Sequence, residues 1–181
     1  MNIFYLHWEP ETCAQAHCDK HVVKMILEYA QLLSTAHHEV DGIPSIDCYK
    51  ATHKNHPSAV WARTNRCNYR WLWQLLKATC KEYTHRYGKV HATERKGIVD
   101  NLRYCPYMLP LGKGMTTIPQ CMPDDYKLDY STIQAYRDYY QGEKAYMAKW
   151  TKRPAPVWWE SESMDDEKLH TEQVHETHGA T

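Results

Sequence analysis

The chain has 181 residues, which allows one domain with a real core and little more. Apolar residues make up 43% of it, and no stretch reaches the length of a membrane span, so a soluble, globular, non-membrane protein is expected. The net charge of zero hides an imbalance. From Glu160 onward seven acids face one Lys, which leaves 21 basic and 15 acidic residues in 1–159, a net of +6 suited to an anionic ligand.

The opening MNIFYLHWEP has no basic region followed by an apolar stretch, so no signal peptide is expected. Residues 2–7 read as extended. Pro10 suits a helix start, and apolar periodicity then runs to about His38, the first principal helix. Residues 39–57 read as a loop. A second helix is predicted from Pro57 to Gly88, where Gly fits the position after a helix end. Residues 88–130 hold four Pro, four Gly and no clear period. A connection that long is usually functional or mobile. Ser131 or Thr132 can cap a third helix ending near Trp150, and KRPAPVWW follows as an extended aromatic strap. The remainder, 160–181, is acidic, lacks a periodic apolar face and reads as a disordered tail. The fold class is therefore mainly α: a compact single domain over 1–159, built of three principal helices with long irregular connections.

Seven Cys without a C-x-x-C pair argue against a disulfide framework or a zinc ribbon and for reduced, mostly buried thiols. Of 22 aromatic residues, 14 are Tyr and seven are Trp, rings with polar handles that suit half-wet surfaces or ligand walls.

The stretch HCDKHVVKMILEYAQ, residues 17–31, is predicted as continuous helix. At about 100° per residue His17, His21, Lys24, Glu28, Gln31 and Thr35 form one polar stripe. Val22, Met25, Ile26 and Tyr29 lie on one side of it, and Val23, Leu27 and Ala30 on the other. A polar seam with apolar flanks must be satisfied or must line a cleft. Three readings are open. The seam is a buried structural network; or His17 and His21, with Cys13 a turn back, hold a metal; or the four residues do acid–base or nucleophilic work. Lys24 beside His21 argues against a metal, and no metal or other cofactor is assigned. For the third reading two imidazoles could titrate near neutrality, and Lys24 in a semi-buried seam could form a Schiff base.

A second cluster, YKATHKNHPS at 49–58, brings Lys50, His53, Lys54 and His56 to the start of the second helix, a pattern that suits phosphate. Along that helix Arg63, Arg66, Arg70, Lys77 and Lys81 share one face with no acid between them, a candidate track for a nucleic-acid backbone.

The order of features is similar to a known family: AQAHCDKH on the first helix, the His-led HPSAVWARTNRCNYRWLWQLLKATCKEY helix, TIPQCMPDDY, a third helix and the aromatic strap. It resembles, over residues 2–159, the phage-type pyrimidine-dimer DNA glycosylases. The resemblance implies a compact three-helix protein that cuts the glycosyl bond of a UV dimer in DNA and then nicks the abasic site. The reduced cysteines point to the cytoplasm, that of the host cell if the source is viral. The resemblance places an active-site histidine on His17 and the family's catalytic glutamate on Lys24, with Glu28 one turn further. The family's nucleophile is a free α-amine exposed by Met removal, and here residue 2 is Asn, whose side chain hinders that removal. The expected site is thus His17, His21, Lys24 and Glu28, with His53, Lys54, His56, Arg63, Arg66 and Arg70 gripping phosphate. Two alternatives stay open: degradation of a small cyclic or ADP-ribose-like nucleotide, and non-catalytic sequestration of a nucleotide or protein.

Overall fold

The computed structural model describes residues 1–159. The tail expected at 160–181 lies outside the described residues. The helices follow in order: α1 (Pro10–Ala16), α2 (Asp19–Asp41), α3 (Pro57–Ala62), α4 (Arg66–Tyr87), α5 (Ala92–Arg95), α6 (Ile98–Asn101) and α7 (Thr132–Lys144). Single 3-10 turns stand at Asp124–Tyr126 and Ala145–Met147. Three long helices, α2, α4 and α7, carry the architecture, and α1 and α2 both pack on α4. One apolar core, including Ile3, Leu6, Met25, Leu33, Leu72, Leu76, Ala135 and Tyr136, joins the chain start to all three. Among the described residues there is no strand, and no helix is long and apolar enough to cross a membrane.

The first two predicted helices are each divided. The first breaks at His17 and Cys18, whose backbones are extended (ψ 133° and 162°). The interruption is held by side chains. The His17 ring meets the free carbonyl of Cys13 at the end of α1 through Nδ1 (2.6 Å) and the Tyr29 hydroxyl through Nε2 (2.6 Å). A helix end that finds its partners locally can turn without a proline. The second breaks at 63–65, because Asn65 Oδ1 accepts from the amides of Cys67 (2.8 Å) and Asn68 (3.0 Å) and so starts α4 afresh. Gly88, at φ 64°, ends α4 in the left-handed conformation that the sequence predicts. Ser131 caps α7 by accepting from Gln134 N, but the helix stops at Lys144 rather than near Trp150. The 88–130 connection is not wholly irregular, since α5 and α6 lie within it.

Polar handles hold the connections. The indole N–H of Trp61 donates to Thr116 O, Trp71 to Trp8 O, Trp73 to Val99 O and Trp150 to Ala16 O. A buried ion network ties α2 and α4 to the C-terminal strap. Arg86, 2% exposed, reaches Asp19 (2.9 Å) and Glu82 (2.7 Å), and Arg153 also reaches Glu82 (2.6 Å). Asp19 closes it by accepting from the amide and hydroxyl of Thr151. Burial alone raises its pKa, but these bonds and the Arg86 charge carry it below the ordinary value.

Candidate active site

The break at 17–18 changes the meaning of the polar stripe. His17 is no longer in register with α2, and it has no solvent exposure. His21 is buried too, stacked on Phe4 with ring centroids 4.1 Å apart and hydrogen-bonded through Nδ1 to the Tyr140 hydroxyl. Desolvation lowers the pKa of His17 to about 4, opposed by its bond to Cys13 O, and lowers that of His21 to about 3, aided by the charges of Lys144 and Lys24. Both rings are neutral at pH 7, contrary to the expectation that they titrate near neutrality. Cys13 is equally engaged, its Sγ donating to Phe4 O (3.2 Å). Among the described residues no group of three His, Cys, Asp or Glu is placed to hold a metal.

Lys24 is corrected in the other direction. Its side chain is 70% exposed, so it does not sit in a semi-buried seam. Of the apolar flank expected beyond it, Val23 and Leu27 face solvent as well, while Ala30 is buried. Helix α2 has one buried face, and Lys24 lies outside it.

Glu28 stands where the first residues of the chain arrive. Its Oε2 accepts from the backbone N–H of Asn2 (3.2 Å) and lies 3.8 Å from the α-amine of Met1. Its Oε1 is 3.2 Å from Lys24 Nζ. The chain start is fixed by its second side chain: Asn2 Nδ2 donates to Cys121 O (2.9 Å), and Asn2 Oδ1 accepts from the Tyr136 hydroxyl (2.7 Å). Tyr136 is fully buried, and Ile3 and Phe4 continue into the core. The side chain of Met1 is itself only 4% exposed. The amine is therefore delivered to the carboxylate by a rigid segment. Sequence spacing could not find this pair, because it joins residues 26 and more apart, one of them identified only by being first.

His56 belongs to the same surroundings. Burial lowers its pKa, the nearby α-amine and His53 lower it further, and Glu28 opposes them. Its Nδ1 accepts from Ser58 N (3.2 Å) as the cap of α3, which leaves Nε2 to carry the proton. His53 and Lys54 are exposed on the preceding turn, where His53 holds a left-handed backbone (φ 47°) with Nδ1 2.7 Å from Thr52 Oγ1. A cleft of about 530 Å³ opens here, lined by His56, Gln120, Cys121, Lys127 and Tyr139 among others. A second cavity of about 560 Å³ lies beneath the strap against Leu6, Arg137 and Arg153, and Glu28 and His56 take no part in it.

The arginine track does not form as a single face. Arg63 ends α3, Arg66 opens α4 with its guanidinium turned onto the carbonyls of Leu109 and Tyr107, and Arg70 alone of the three is exposed. The structure thus gathers Glu28, Lys24 and His56 about the chain start, with His53 and Lys54 on the adjoining turn. It puts His17 and His21 in the core and Arg66 against the long connection.

A helical protein that holds its own amino terminus against a half-buried carboxylate, near a cleft whose lining includes His56 and Lys127, has the groups for amine chemistry on an electrophilic sugar carbon. The sequence pattern of the pyrimidine dimer DNA glycosylases matches residues 1–95, more than half of the chain, and the protein belongs to that family. No curated protein and no solved structure matches it. The matched stretch contains Glu28, His53, Lys54 and His56, whereas Cys121 and Tyr136, which hold Asn2, lie beyond it.

Proposed function

We propose that the protein is a DNA glycosylase with lyase activity on pyrimidine dimers, and that its nucleophile is the α-amine at the head of the chain. The observation that carries this reading is the placement of both Met1 N and Asn2 N on Glu28. Whichever of the two residues leads the mature chain, its amine meets the same carboxylate.

The amine attacks C1′ of the damaged nucleotide, a C1′–N bond to the amine forms, and the C1′–base bond breaks with its electron pair leaving on the base. Glu28 takes the proton that the amine loses and returns it to the departing base. The nitrogen lone pair then expels O4′, which takes a proton from water, and the ring opens to a protonated imine. Removal of a C2′ proton by Glu28 expels the 3′ phosphate and nicks the strand, and water finally releases the amine. Two neighbours assist. Lys24 sets a positive charge beside the carboxylate. His56 offers a neutral ring with an Nε2 proton to a phosphate or leaving oxygen. His53, Lys54 and the exposed Arg70 supply further contacts to the backbone.

Family membership favours DNA over a small nucleotide and over sequestration. Borohydride reduction during turnover of dimer-containing duplex tests the reading. It should trap a covalent protein–DNA complex that Glu28→Gln fails to form. Absence of both a trapped complex and a nick overturns it.

A further inference from the structure

The connection between α6 and α7 carries a surface that this chemistry does not use. From Leu102 to Met122 it contains no Asp or Glu. It begins at the C-terminal end of α2, where His37 Nε2 meets Tyr104 O (3.0 Å). It passes the start of α4, where Asn68 Nδ2 donates to Thr116 Oγ1 (2.7 Å), and arrives at the site, where Cys121 O holds Asn2. In its middle, apolar side chains face solvent: Tyr107 is 83%, Met108 67% and Leu111 70% exposed.

The backbone beneath these side chains is fixed. The Asp41 carboxylate accepts from the amides of Tyr107 (2.9 Å) and Met108 (3.0 Å). Arg66 donates to Tyr107 O (3.0 Å) and Leu109 O (2.9 Å), and its own amide donates to Pro110 O (2.8 Å). Pro106 and Leu109 are buried on either side of the tip. Two charged residues are thus spent on holding backbone, and what they present is a Tyr and a Met. A rigid apolar projection of this kind marks a contact surface. Its surroundings are basic on balance, with Asp100 opposing Arg103. Arg70, Arg103 and Lys113 are exposed, Arg103 lies over the Tyr104 ring, and the charge of Asp41 is met by amides. A polyanion with apolar interior faces fits this combination.

We infer that the Tyr107–Met108 tip is a wedge that enters the base stack of duplex DNA several base pairs to one side of the lesion, an inference that rests on DNA being the substrate. Apolar wedges unstack a base step, and the resulting bend lays more of a basic surface on phosphate. Glu28 and Asp41 are 13 positions apart on α2, about 20 Å along the helix at roughly 1.5 Å per residue. A duplex laid along α2 therefore meets the tip about six base pairs from the site, at about 3.4 Å per pair.

The test uses the full chain and a duplex with a non-cleavable abasic analogue, carrying 2-aminopurine at successive distances from it. Wild type should brighten 2-aminopurine about six pairs to one side. Tyr107→Ala/Met108→Ala should abolish that signal and weaken binding about tenfold to a hundredfold, with melting temperature and salt slope unchanged. Arg103→Ala/Lys113→Ala should instead reduce the slope of log affinity against log salt by about two. Equal binding and equal fluorescence in the apolar variant overturn the wedge, as they would if the tip served a protein partner. If wild type itself binds no DNA, the proposed function falls with it. If wild type binds and the apolar variant does the same, only the wedge falls.

Discussion

Replacing His17 by Ala should cost stability and spare the chemistry. The ring is fully buried and has partners on both nitrogens, Cys13 O and the Tyr29 hydroxyl, each at 2.6 Å. Its loss strands a carbonyl at the end of α1 and a hydroxyl in the core, at about 1–3 kcal/mol each. The cavity left by the ring adds roughly 1 kcal/mol or more. A total near 4 kcal/mol follows, which for a chain of this size lowers Tm by about 10 °C. Urea unfolding of wild type, His17→Ala, Tyr29→Phe and the double variant measures it, and the double-mutant cycle should show a coupling of at least about 0.5 kcal/mol. Borohydride trapping at a temperature where every variant is folded should be nearly unchanged. A His17→Ala protein that melts like wild type but no longer forms the covalent complex would show that His17 acts on the substrate, and that the family's active-site histidine does lie there.

Three further outcomes follow from the same contacts. Acid should destabilise the fold: His17 and His21 have pKa values lowered to about 4 and about 3, so between pH 6.5 and those values the unfolded chain binds protons that the folded one refuses. Stability should then fall by several kcal/mol from pH 6.5 to 4, whereas a flat profile in thermal melts over that range would contradict the buried neutral rings. Arg86→Ala should cost about 3–5 kcal/mol, because it leaves Glu82 and Asp19 short of their buried counter-charge, and an effect below 1 kcal/mol in urea unfolding would show the network to be slack. Extending the amino terminus by a short tag, or acetylating it, should abolish strand nicking while leaving Tm within a few degrees, and a fully active extended protein would exclude the α-amine.

The helical segments and three of their limits were legible because each has a local signal: Pro10 at the start of α1, Pro57 at the start of α3, Gly88 after the end of α4, apolar periodicity between. The breaks were harder. Asn65 is a strong cap in plain view, but unbroken periodicity on both sides hides it. The turn at His17 depends on Tyr29, a contact across the fold. The same fact explains the site. Glu28 and His56 were visible as polar residues on two separate segments, which the fold brings together. The stripe misassigned its members, since a continuous helix puts His17 in line with Glu28, while the actual chain turns His17 inward and leaves Lys24 in solvent. What no spacing could supply was the chain start itself, brought to Glu28 by Asn2, Cys121 and Tyr136. Arg66 looked like a phosphate contact, yet its guanidinium holds a loop, because a carbonyl partner leaves no trace in side-chain pattern.

The most direct measurement is a peptide map of the borohydride-trapped complex formed on dimer-containing DNA, with the intact mass fixing which residue leads the chain. The reduced adduct should sit on the N-terminal amine, on Met1 if it is retained and on Asn2 if it is removed. An adduct on Lys24 Nζ, or none at all, would contradict the pairing of the chain start with Glu28 as the catalytic arrangement.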